Sequence, residues 1–436
     1  MKLIKLIGIC LSVCLTVCLT GCEILNNNID ELLDAPKLEG NMLPVQKALE
    51  EYAGDDITLK YPMSGEYRSA FILKDLNNDN IQEAIAFYST TSDSTVLIHI
   101  NLISFDGEQW QSIGDLSLVG NGIERVNFLD VDGNGQLEII VGWMIYGVVE
   151  KQVGIYTYDG ELLTQRAIEP YTDFICADLT GDTVNDISVF YLNSSEKTAS
   201  AKLFSLTSVG INEVGSIKLD GGVSSYYTPV LSKLSDGTSA IYIDAIKGTG
   251  TLTEIIWYKD GQLHGIYDAG APETSLTYRN STVNCRDYNG NGIIDIPISE
   301  LLASTAQMAE TDKVYYTNWS EFNGKSFSIT QSTFMNYTDG YSISVPEKWK
   351  DKLLLIRKTE ARMRLFYTYD SKTGYTNEEI LRIMTVSYAD YVSGTYTDEY
   401  IRLGASDNLV YLAKINPDNT LGITEKHVRE MFSIIK

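Results

Sequence analysis

Apolar positions between Tyr61 and Tyr337 fall into short runs rich in Ile, Val, Tyr and Phe, as at 83–88, 96–105 and 138–143, with Gly, Asp and Asn between them. Runs of β-branched and aromatic residues bounded by turn formers predict strands. No apolar set at helical spacing stands out in that interval, so 61–336 is expected to be mainly β. After Tyr337 the pattern changes. Runs at 341–346, 352–357, 363–369, 380–388 and 409–415 read as strands, and Val428, Met431, Phe432 and Ile435 then recur at helical spacing. This predicts a separate small α+β domain over 337–436. Lys348, Lys350, Lys352, Arg357 and Lys358 make its start locally basic, which reads as a solvated strand edge.

Internal repetition is the strongest signal in the chain. Four nine-residue segments carry oxygen-bearing side chains at positions one, three, five and nine. They are Asp75, Asn77, Asp79 and Glu83; Asp130, Asp132, Asn134 and Glu138; Asp178, Thr180, Asp182 and Asp186; and Asp287, Asn289, Asn291 and Asp295. The first aspartates lie 55, 48 and 109 residues apart, and the last interval is about twice the others, which predicts a hidden repeat near residue 232. There the apolar lead-in and following strand persist over 230–243, while Asp236 is nearly all that remains of the polar set. A second motif runs in phase: Phe105-Asp106-Gly107, Tyr158-Asp159-Gly160, Leu206 to Gly210, Lys259-Asp260-Gly261 and Phe322-Asn323-Gly324.

A period near 50 residues with three or four strands per period is what a β-propeller blade requires. Five recognisable blades are expected over 61–336, and more if a blade is too degenerate to read; independent hairpins or a solenoid are the alternative. The first motif resembles the FG-GAP/VCBS repeat of integrin-like propellers and bacterial surface proteins. In that family D-x-[DN]-x-[DN]-G-x-x-[DE] forms a loop between the two innermost strands of a blade and holds calcium. The resemblance implies that the sixteen residues named above are ligands of up to three or four structural calcium ions. Alternating oxygens aimed at one centre, a glycine at the sharp turn and a closing acid suit that ion. An EF-hand would need a Glu at position twelve, where Ala86, Val141, Val189 and Ile298 stand. Asn80 and Thr183 replace the usual glycine in the first and third loops, and with Thr180 they make the third loop the weakest match. The loops brace blades and imply no catalysis.

The N-terminus has its own grammar. Lys2 and Lys5 precede an apolar stretch too short for a relaxed membrane span, and Leu19-Thr20-Gly21-Cys22 closes it. This resembles a bacterial lipoprotein signal over 1–22, which implies that Cys22 becomes the diacylated first residue of the mature chain. Two acyl chains suffice for stable attachment, so an extracytoplasmic, bilayer-anchored protein is expected, with 23–60 as tether and lead-in. Cys176 and Cys285 each precede the first Asp of a repeat by two residues and read as buried thiols without a disulfide.

Composition excludes more than it selects. With 34 Lys+Arg against 58 Asp+Glu the net charge is −24, which argues against a nucleic-acid partner. His99, His264 and His427 are far apart in sequence, so no zinc signature exists, and neither G-x-S-x-G nor a P-loop occurs. The expectation is a monomeric, non-catalytic binding or scaffolding module for an unknown protein or glycan. The alternative is a cell-surface enzyme acting on glycan or peptide. Trp143 and Trp257 read as blade core, with an aromatic binding face as the other option.

Overall fold

The computed structural model describes residues 42–92, 95–145, 151–207, 210–267, 275–394, 396 and 399–435. The expected signal segment, Cys22 and the expected tether up to residue 41 lie outside them. The described chain is mainly β, as expected. Helix α1 (Leu43–Ala53), which the tether reading omitted, precedes the strands and buries Val45, Ala48 and Leu49.

Each repeat becomes one antiparallel sheet. The first holds β1 (Thr58–Leu59), β2 (Phe71–Lys74), β3 (Glu83–Ser92), β4 (Thr95–Phe105) and β5 (Trp110–Val119), with β3 central. The second is β6 (Gly122–Leu129), β7 (Glu138–Met144), β8 (Lys151–Tyr158) and β9 (Leu163–Tyr171), in that order. The third is β10 (Asp173–Ala177), β11 (Asp186–Asn193), β12 (Thr198–Thr207) and β13 (Gly210–Lys218). The hidden repeat is a sheet as well, made of β14 (Ser225–Tyr226), β15 (Val230–Lys233), β16 (Ser239–Lys247), β17 (Gly250–Lys259) and β18 (Gln262–Gly265). A fifth sheet follows with β19 (Ile296–Leu301), β20 (Tyr315–Phe322), β21 (Phe327–Asn336) and β22 (Tyr341–Ser344). The second motif is the turn between the last two strands in each of the first four sheets and between β20 and β21 in the fifth. Asp106, Asp159 and Asn323 each accept two backbone N–H groups there, and Gly107, Gly160 and Gly324 take positive φ.

The chain clusters into two compact units. Among the described residues, one comprises those within 42–127, 143–145 and 158–164; the other comprises those within 128–142, 151–157 and 165–435. In the first unit, α1 packs its apolar face with Ala70, Phe71, Ala84, Ala86, Tyr88 and Ile103. In the second, successive sheets share core clusters: Ile187 and Val189 with Ile140 and Ile155, Leu203 and Phe190 with Ile241 and Ile256, and Tyr242 and Ile255 with Ile296 and Phe322.

The region after residue 336 continues this series. β23 (Leu353–Lys358), β24 (Met363–Asp370), β25 (Gly374–Ser387), β26 (Ile401–Ser406) and β27 (Leu409–Ile415) form a sixth sheet. Tyr316, Phe334, Tyr341 and Ile343 of the fifth sheet share one core with Leu355, Phe366, Ile383 and Tyr411 of the sixth. The position expected to divide two domains falls in the hairpin joining β21 to β22, which pair from Asn336↔Tyr341 to Thr333↔Ser344. The terminal helix is shorter than its periodicity implies: α3 (Glu425–Met431) ends before Phe432, and β28 (Phe432–Ile434) returns to pair with β22. A brief helix α2 (Tyr388–Val392) lies between β25 and β26. Of the basic run, Lys350 is buried over the Tyr316 ring and bonded to Asn318, so it belongs to the core and not to a solvated edge.

Candidate metal centres

The four polar loops repeat one geometry: they join β2 to β3, β6 to β7 and β10 to β11, and the fourth, closed by the Arg286↔Asp295 bridge, leads into β19. Position two is the plug: Leu76, Val131 and Leu179 are buried, and Leu234 occupies the same corner of the degenerate repeat. The plug's backbone N–H donates to the position-nine acid in each loop, from Leu76 to Glu83 at 3.0 Å, Val131 to Glu138 at 2.9 Å, Leu179 to Asp186 at 2.9 Å and Tyr288 to Asp295 at 3.0 Å. The position-one aspartate accepts the N–H of residue six: Asn80 to Asp75, Gly135 to Asp130, Thr183 to Asp178 and Gly292 to Asp287, all within 2.8–3.0 Å. Positions four and six both take left-handed φ, at Asn78 and Asn80, Gly133 and Gly135, Gly181 and Thr183, and Gly290 and Gly292. Asn tolerates that region. Thr183, at φ 75°, is β-branched and strained there, yet keeps the shape of the loop.

Among the described residues, Asp130, Asp132 and Glu138 form a trio whose ligand oxygens all lie within 4.8 Å of one another. The other loops carry Asn or Thr at position three, so their acids do not converge to that degree. In the third loop the Thr180 hydroxyl donates to Asp186 at 3.0 Å, tying position three to the closing acid. Neighbouring loops also touch: Asn185 Nδ2 donates to the Asp130 carbonyl at 3.2 Å.

The four closing acids are buried, and all are held above the usual carboxylate range. Burial is the largest cause each time. It pushes Glu138 up to about 7, with the charges of Asp132 and Asp130 adding to it, and it also raises Glu83, Asp186 and Asp295. A carboxylate desolvated beside other carboxylates favours either protonation or a cation. Oxygen donors alone, three of them charged, fit a hard divalent cation such as calcium. The degenerate corner is different: Lys259 Nζ lies 2.7 Å from Asp236 and lowers that acid to about 2.

Two groups of interest escaped the sequence reading. Glu321, at the end of β20, is buried and accepts from the Asn291 and Asn289 amides of the fourth loop. It stands immediately before Phe322-Asn323-Gly324, where the other repeats have Ser104, Thr157, Ser205 and Tyr258, so no repeat-wide pattern marks it. On the first sheet, Thr90 Oγ1 lies 2.9 Å from His99 Nε2, and His99 Nδ1 lies 2.8 Å from Asp115. Asp115 also accepts from Tyr88 at 2.8 Å and Asn101 at 3.0 Å, and the Tyr88 ring stacks on His99 at 4.4 Å. Pairings Tyr88↔His99 and Asn101↔Asp115 bring these residues together across strands, which spacing along the chain conceals.

Trp143 and Trp257 are buried, so the aromatic-face option for them is closed. Cys176 and Cys285 form no disulfide but are half-buried, not fully buried as expected, and burial pushes the Cys285 thiol up.

No family model and no curated protein matches the chain. Solved structures similar to it include a rhamnogalacturonan lyase of Bacillus licheniformis (TM-score 0.32, 11% identity, covering 74% of this chain and 77% of that one). The β-propeller domain of the Trilobed protease from Pyrococcus furiosus gives 0.27, 9%, 80% and 91%, and an α-L-arabinanase of Penicillium chrysogenum gives 0.26, 10%, 83% and 98%. Against the expectation of a non-enzyme, the similar structures include a lyase and an arabinanase. At this level of similarity none of their activities passes to this chain.

Proposed function

We propose that this chain is a lipid-anchored extracytoplasmic protein with calcium-loaded, propeller-type β-repeats. The observation that carries the calcium reading is the fourfold recurrence of one loop geometry that ends each time in a buried carboxylate without the lysine found at Asp236. Asp75, Asn77, Asp79 and Glu83, and their counterparts in the other three loops, would hold the ions, which contribute positive charge and rigidity at the strand junctions. Isothermal titration of the chelator-treated mature chain tests this: uptake of up to four calcium ions is expected, and no uptake sinks the reading. The Leu19-Thr20-Gly21-Cys22 motif supports the anchor; Cys22→Ser should release the protein from the detergent phase, and wild-type protein found in the aqueous phase removes that part.

A second reading, catalysis on a surface glycan or peptide, is favoured by the Thr90–His99–Asp115 array. Asp115 can only accept, so in the neutral ring Nδ1 carries the proton and Nε2 accepts from Thr90, the arrangement of nucleophile, base and orienter that acyl transfer uses. The Thr90 hydroxyl would add to an ester carbonyl as its proton passes to Nε2. The protonated ring would then donate to the leaving alcohol, and water would release the acyl group. Hydrolysis of acylated surface glycan lost in His99→Ala and kept in Thr90→Ser is the expected result; equal rates in wild type and His99→Ala refute it.

A further inference from the structure

The fourth loop is short of charge. The first, second and third loops each carry three carboxylates among their four candidate ligands, whereas the fourth has Asp287 and Asp295 with asparagine at positions three and five. We infer that Glu321 completes this loop, supplying its third carboxylate from the neighbouring strand and turning the oxygens of Asn289 and Asn291 toward the calcium position. This rests on the calcium reading above.

The geometry is specific. Glu321 Oε1 accepts from Asn291 Nδ2 at 2.8 Å and from Asn289 Nδ2 at 3.3 Å, and the residue is 8% exposed. An amide has one donor end and one acceptor end, and a carboxylate only accepts, so the nitrogens must face Glu321 and the oxygens must face away from it. Those oxygens sit where the second loop puts its own. Asn289 Oδ1 accepts the N–H of Asn291 at 3.0 Å, as Asp132 Oδ1 accepts that of Asn134 at 3.1 Å. Asn291 Oδ1 accepts the N–H of Ile293 at 2.9 Å, as Asn134 Oδ1 accepts that of Gln136 at 2.6 Å. Without an anion on the outer side, each amide could rotate and present a nitrogen to the ion. Glu321 removes that freedom and restores the charge that a divalent cation needs. It is a positioning residue, since it acts through the two asparagines.

The test is a metal titration of the full mature chain after chelation, comparing wild type, Glu321→Gln and Glu300→Gln. Glu300, an exposed acid, accepts from Asn318 Nδ2 at 2.7 Å in the same sheet and controls for the loss of one carboxylate that holds an asparagine amide without touching the loop. Terbium adds a local readout, because Trp319 stacks at 4.1 Å on Tyr288, the second residue of this loop, and can sensitise an ion bound there. Losing an outer partner of this kind weakens metal binding by roughly 10- to 100-fold. The expected result is that Glu321→Gln weakens one site to that extent, the tryptophan-sensitised one, and leaves the others and the melting temperature in chelator unchanged. Wild-type affinity at every site, a matching loss in Glu300→Gln, or an equal drop in melting with and without calcium overturns the inference. Absence of any uptake by wild type overturns the calcium reading itself, which separates the two failures.

Discussion

The second loop, between β6 and β7, and the corner of the degenerate repeat, between β15 and β16, are equivalent turns, and their acids are driven in opposite directions. Burial pushes Glu138 up to about 7, while the ammonium of Lys259 draws Asp236 down to about 2. Both corners seat an apolar plug, Val131 in one and Leu234 in the other. One corner carries its positive charge as a covalent part of the chain; on the calcium reading proposed above, the other would take it from solution. A single sheet design would then accommodate either a built-in or a borrowed cation, with Lys259 marking the first case.

The broadest way to break this comparison is chelation. A site of about 0.1 mM at roughly 2 mM calcium stabilises by about 1.8 kcal/mol, so four loops together approach 7 kcal/mol, on the order of a whole domain's stability. A large fall in melting temperature on chelation is expected; identical melting curves would mean that the loops stand without borrowed charge.

Glu254 supplies a third case, a buried acid with neither device in contact. Its pKa is pushed up to about 7, chiefly by burial, while Lys247 is paired with Asp220 at 2.6 Å. The folded pKa lies above the unfolded one, so the protonated group favours the fold, and that contribution is lost as pH rises from the unfolded value through about 7. Glu254→Gln keeps the acceptor for the Asp220 N–H and should be the more stable form at pH 8, by on the order of 3 kcal/mol, with the gap closing below pH 4. Denaturant titrations across that range that stay parallel would contradict it.

Asp132→Ala and Asn291→Ala each remove part of one loop's calcium response, about 1.8 kcal/mol at most, visible as a smaller difference between melting with calcium and with chelator. Thr183→Gly relieves left-handed strain and should stabilise the third loop by roughly 1 kcal/mol, the gain appearing in urea midpoints with or without calcium. The smallest effect belongs to Lys259→Met. It should shift melting slightly and equally in calcium and chelator, because the pair it breaks is partly exposed.

The repeat corners were largely legible. Local chemistry places Asp, Asn and Gly at fixed offsets, and the offsets predicted the turn, the sheet after it and even the repeat that had lost its acids. The C-terminal strands were legible too, with runs at 363–369 and 409–415 close to Met363–Asp370 and Leu409–Ile415. Their allegiance was not. Nothing in the spacing of 337–436 says that Tyr341 and Tyr411 pack together at 5.6 Å or that Phe432 leaves the helical pattern to join β22.

What the sequence determined by itself about this protein is whatever is encoded within a few residues: strand runs, turn conformations and the oxygen sets of the four loops. What only the tertiary structure decided depends on residues distant in sequence meeting across strands. Glu321 reaches a loop thirty residues upstream, Asp115 holds a histidine from the adjacent strand, Lys259 neutralises Asp236, and β28 closes on β22. The physical reason is that a turn is specified by local backbone sterics and its own side-chain oxygens, whereas a buried charge is satisfied by whichever group the packing brings to it.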